Sequence, residues 1–76
     1  MEQKIIDALV ARYNADLMKA RTNLHNYLIN PVGVGEHPDI IEAVEKELDL
    51  IAQYDDQLEM MNKYFPTKDN TELLKE

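Results

Sequence analysis

The run Asn30-Pro31-Val32-Gly33-Val34-Gly35-Glu36-His37-Pro38-Asp39 breaks this chain in two, and nothing else in the sequence restricts its fold as much. It holds both glycines and two of the three prolines of the protein. Proline disfavours helix at the residue before it, so a helix arriving from the N-terminal side must stop near Asn30. Beyond the break, Pro38 suits a helix start, where its missing N–H costs nothing. Asp39 followed three residues later by Glu42 has the spacing of a capping box. The break therefore predicts a corner joining helices over residues 2–29 and 39–65, with 30–38 as the loop. Its glycines are expected to turn the chain at positive φ.

Both flanking segments carry helical periodicity. In the first, apolar residues recur at Ile6, Val10, Tyr13, Leu17, Ala20, Leu24 and Tyr27. The steps average about 3.5 residues, the seam of a left-handed helix pair. Val10, Leu17 and Leu24 take heptad position a, and Ile6, Tyr13, Ala20 and Tyr27 take d. The second stripe reads Val44, Leu48, Ile51, Tyr54, Leu58, Met61 and Phe65, and Pro66 closes it. Ile5, Leu9, Leu28, Ile29, Ile40, Ile41 and Leu50 lie beside these stripes and widen them, which fits a helix touching two neighbours. Glu42–Lys46 and Glu59–Lys63 are expected as i,i+4 pairs on the exposed side. Residues 67–76 read as a frayed tail, with a short final turn begun by Asp69 or Asn70.

A chain of 76 residues makes one domain, too small for a large core of its own. Such chains usually add disulfides, a metal or a partner subunit. With no cysteine, disulfides and thiolate zinc sites are excluded, and oligomerisation is the common route left. The fold expected is all-α: an antiparallel helical hairpin that pairs as a homodimer into a four-helix bundle, with trimers and larger rings still open. No apolar run is long enough to span a membrane. The start, Met1-Glu2-Gln3-Lys4, lacks the order of a signal peptide. The expectation is a complete, soluble protein of the cytoplasm.

Charge is uneven along the chain. Residues 1–29 set Lys4, Arg12, Lys19 and Arg21 against Glu2, Asp7 and Asp16, a balance of +1. Residues 30–65 set nine acids against Lys46 and Lys63, a balance of −7, and residues 66–76 add −1, giving the total of −7. An acidic second helix repels nucleic-acid phosphates and anionic lipids and attracts a basic protein surface. Its candidate contact residues are Glu45, Glu47 and Asp49. A plainer role, keeping the protein solvated, fits the same residues.

Material for catalysis is poor. The chain has neither serine nor cysteine, and among the threonines Thr22 has His25 three residues on, without an orienting third group. No catalytic residue is assigned. His37 lies between Glu36 and Asp39, but HExxH and EF-hand spacings are absent, and Asp49, Asp55, Asp56 and Glu59 lack the Glu-x-x-His of di-iron bundles. No metal or other cofactor is expected. Gly33-Val34-Gly35 precedes a helix N-terminus yet matches no phosphate-loop pattern, and Glu36 and Asp39 would stand where the anion should be. The glycines suit a turn better. Still, a long stiffened loop is a natural binding element, with Asn30, Gly33, Gly35, Glu36, His37 and Asp39 as candidates. Tyr13, Tyr27 and Tyr54 fall on the stripes and suit bundle positions.

The stretch from Tyr27 to Ile40 resembles the central loop of short helical proteins of unknown function from T-even-like tailed phages and their cyanobacterial relatives. The resemblance implies a phage accessory protein in the bacterial cytoplasm, of a kind that often binds a host protein or sequesters a host signal. The leading expectation is thus a non-enzymatic helical oligomer that binds a basic protein partner, a host or phage component. The alternative is an oligomer that sequesters a small anionic ligand such as a nucleotide. That alternative uses the 32–39 loop with Lys19, Arg21 and His25 of the first helix.

Overall fold

The computed structural model describes residues 2–30 and 39–66. They form two helices, α1 (Glu2–Ile29) and α2 (Ile40–Tyr64), with no strand among the described residues. The helix limits follow from local chemistry. Asp39 is the N-cap of α2: its backbone is extended (φ −120°, ψ 96°) and its carboxylate accepts the N–H of Glu42 at 3.0 Å. That bond satisfies one of the first-turn donors that have no intrahelical partner. At the other end Phe65 donates its N–H to the Met61 carbonyl at 2.8 Å, and Pro66 follows. α1 closes similarly, with the Asn30 N–H on the Asn26 carbonyl at 3.0 Å. Residues 31–38 and 67–76, and with them the expected positive-φ glycines and the expected final turn, lie outside the described residues.

The two helices pack antiparallel as a hairpin. Glu2, Gln3 and Ile6 share a groove with Tyr64, Phe65 and Pro66 at one end. Nearer the other end, Asn23 Nδ2 donates to Glu47 Oε1 at 3.5 Å. The seam of α1 is the expected one: Ile6, Val10, Tyr13, Leu17, Leu24 and Tyr27 are half-buried and Ala20 is 2% exposed.

The seam of α2 departs from expectation. It runs through Ile40, Val44, Glu47, Ile51, Tyr54, Leu58 and Met61, with Leu48 50% exposed and Glu47 only 8%. Phe65 is exposed as well. Hydrophobicity favours Leu48, but steps from 44 to 48, 51 and 54 put two threes in succession. A seam alternating four and three must use Glu47. The Asn23 contact sets Glu47 level with the 23–24 stretch of α1, where its carboxylate reaches Asn23 Nδ2. Glu47 and Ala20 are the two buried residues among those described.

The flanks of the seam are unequal. On one side Leu9, Asp16 and Asn23 of α1 and Ala43, Leu50 and Gln57 of α2 are half-buried. On the other, Asp7, Asn14, Arg21 and Leu28 face Ile41, Leu48 and Asp55, and all are exposed. The helices are rolled towards the first side and leave the second open. The broad stripe therefore divides: Leu9, Ile40 and Leu50 are partly covered, while Ile5, Leu28, Ile29 and Ile41 are not. Leu28 is 63% and Ile41 77% exposed. No large side chain among the described residues is fully buried.

Surface charges pair sparingly. Neither Glu42–Lys46 nor Glu59–Lys63 closes; the ion pair among the described residues is Arg12 with Asp16, at 3.9 Å. Lys63 Nζ lies 5.3 Å from the centre of the Tyr64 ring. An exposed i,i+4 pair gains little over the entropy it freezes, so its absence costs little.

Candidate functional site

The open side of the hairpin carries the most developed surface. Heptad positions next to the seam put Asn14, Arg21 and Leu28 along one edge of α1, and the following turn adds Met18 and His25. A shallow groove runs there, lined by Asn14, Leu17, Met18, Arg21, Thr22 and His25. A second adjoins it and crosses to α2, where Leu48, Ile51 and Asp55 face Arg21, Leu24, His25 and Leu28. Arg21 and His25, one helical turn apart, stand in both. Leucine and isoleucine make the walls, and a guanidinium and an imidazole supply donors at the rim. Among the described residues neither Arg21 nor His25 makes a hydrogen bond or ion pair.

The sequence-derived candidates scatter across the molecule. Arg21 and His25 come together, but Lys19 is exposed away from both grooves. Glu45 and Asp49 are exposed, as an acidic contact surface requires. Glu47 is not: it is buried in the seam, so it leaves that surface. Its Oε2 has no hydrogen-bond partner among the described residues, nor does Gln57 Oε1. Asp39 serves α2 as its cap, and Asn30 extends the last turn of α1. Gly33, Gly35, Glu36 and His37 lie outside the described residues. Met18, Leu48 and Asp55 were not among the candidates. The signal for them was large apolar or charged residues at positions flanking the seam.

Thr22 shares the groove with His25, yet its hydroxyl donates to the Met18 carbonyl at 2.8 Å. This back-bond within the helix holds the proton away from the imidazole. Among the described residues no three His, Asp or Glu side chains gather where they could hold a metal ion. No helix there is long and apolar enough to cross a membrane. Comparison with protein families, with characterised proteins and with solved structures finds no match.

Proposed function

We propose that this chain is a non-enzymatic helical hairpin that completes its core with further copies of itself and acts as a binding protein. One observation carries this: no large side chain among the described residues is fully buried, while Leu28, Ile41 and Leu48 stay exposed along one open side. A hairpin alone leaves that apolar area in water, at roughly 25 cal/mol per Å². Two hairpins forming a four-helix bundle remove it. The acidic second helix, with Glu45 and Asp49 exposed, supports a basic protein as the partner of the assembly. The resemblance of residues 27–40 to short helical phage proteins of unknown function is the ground for placing the target in the bacterial cytoplasm. Sedimentation equilibrium tests the foundation: association at micromolar concentration is expected, and a folded monomer there would falsify it. Capture of the partner from bacterial lysate should then weaken when Asp49, which lies off the open flank, is neutralised.

A second reading is favoured by the gathering of Arg21 and His25 in one apolar-walled groove: sequestration of a small anionic ligand such as a nucleotide. The Arg21 guanidinium and the His25 ring N–H would donate to a phosphate, and the aliphatic walls would take a flat apolar ring. Asp55 at the far wall and the net charge of −7 oppose it. A panel of nucleotides and cyclic nucleotides separates the two readings. At about 100 times its dissociation constant a true ligand stabilises the fold by about 2.7 kcal/mol. That gain should vanish in Arg21→Ala and His25→Ala and grow in Asp55→Asn. A melting temperature that no compound moves removes this reading.

A further inference from the structure

We infer that a second copy of this chain docks on the open side with its α2 across α1, so that the corner ends of both hairpins point the same way. The inference rests on the self-association proposed above and specifies its face and orientation. Self-association alone allows two face-to-face arrangements. In one, each helix lies on its own equivalent, α1 on α1 and α2 on α2. In the other, each α1 lies antiparallel on the partner's α2. The apolar residues serve either arrangement, since Leu28, Ile41 and Leu48 line the whole face.

Charge decides between them. On its open flank α2 carries Glu45, Asp55 and Glu59, all exposed and with no cation among them. Packing α2 on α2 would bring six carboxylates together across a drying interface, where like charges cost most. The matching stretch of α1 presents Arg21 and His25, neither held by a described residue. Laying α1 on the partner's α2 interleaves those groups with the carboxylates and does so twice by symmetry. The two-fold axis then runs along the hairpin. Each copy repeats between molecules the antiparallel level relation it has within itself. Leu28 of one copy comes beside Ile41 of the partner subunit, and Arg21 beside Leu48 of the partner subunit.

The absence of native cysteine makes the test clean. Leu28→Cys and Ile41→Cys are made in separate chains, one carrying a mass tag, and Leu48→Cys in a third. All three side chains are exposed, so the fold should tolerate them; circular dichroism checks this. Mixed and mildly oxidised, the Leu28→Cys and Ile41→Cys chains are expected to give the tagged–untagged disulfide dimer as the main product. Leu48→Cys alone is expected to cross-link poorly, because two such residues lie diagonally across the bundle. Arg21→Glu, without any cysteine, is expected to weaken association several-fold. Efficient Leu48→Cys self-linking with no mixed 28–41 product would overturn the orientation and leave self-association standing. Cross-links from neither combination in a wild type that sediments as an oligomer would overturn the face. A monomeric wild type removes the underlying proposal instead.

Discussion

At the residue scale, the place of Glu47 contradicts its chemistry. A glutamate belongs on a solvated helix face, yet the alternation of seam steps carries it inside, level with Asn23. Its one described hydrogen bond, from Asn23 at 3.5 Å, is long, and Oε2 has no partner there. Burying a carboxylate so poorly compensated costs free energy that a hydrocarbon of similar size would not. Glu47→Leu is therefore expected to raise stability by about 1–2 kcal/mol in urea unfolding. A decrease would mean that Oε2 receives a donor in the assembled protein. The retained acid also fits a register device, since a polar seam position penalises slippage by a heptad. Gln57→Leu makes a parallel case at a half-buried flank, where removing an unpaired carbonyl oxygen is expected to add about 1 kcal/mol.

At the element scale, the helices follow from features readable in the chain. Asn30-Pro31 ends α1, and Asp39 with Glu42 starts α2, because proline and a short acidic side chain act on backbone groups one to three residues away. Local chemistry of that kind needs no tertiary context. Asp39→Ala should accordingly lower stability by about 1 kcal/mol, seen as a reduced urea midpoint with unchanged slope. An unaltered midpoint would mean that the bond from Glu42 is dispensable. The α1 seam was equally legible, since its a and d positions are all apolar. The α2 seam was not, because hydrophobicity at Leu48 and the alternation of steps at Glu47 give different answers, and packing of the two helices decides. Nor could periodicity say which flank stays open, since Leu9 and Leu28 are equally apolar beside the same seam. That choice comes from how two helices roll against each other. The candidate site inherits the same limit: Arg21 and His25 share a helix turn and so were legible as a pair, but their groove with Leu48 and Asp55 exists only once α2 is in place.

At the scale of the whole molecule, two helices with a seam between them leave every large side chain among the described residues partly wet. Ordering a hairpin costs conformational entropy that apolar burial offsets, so the proposed cover of its open side would add to its stability. If the cover is another copy, folding and association are one equilibrium and protein concentration acts as a ligand would. Each tenfold rise in concentration then adds about 1.4 kcal/mol per dimer. For two chains of this size that corresponds to a melting temperature higher by roughly 3–6 °C. The same experiment on Leu48→Lys, which puts a cation on the apolar face beside Arg21 of the partner subunit, should abolish the concentration dependence and lower the melting temperature at every concentration. Helicity by circular dichroism, followed from about 1 to 100 µM, checks both outcomes. A melting temperature that stays flat over this range, with Leu48→Lys melting like wild type, would leave the hairpin stable alone and its open side free for a different partner.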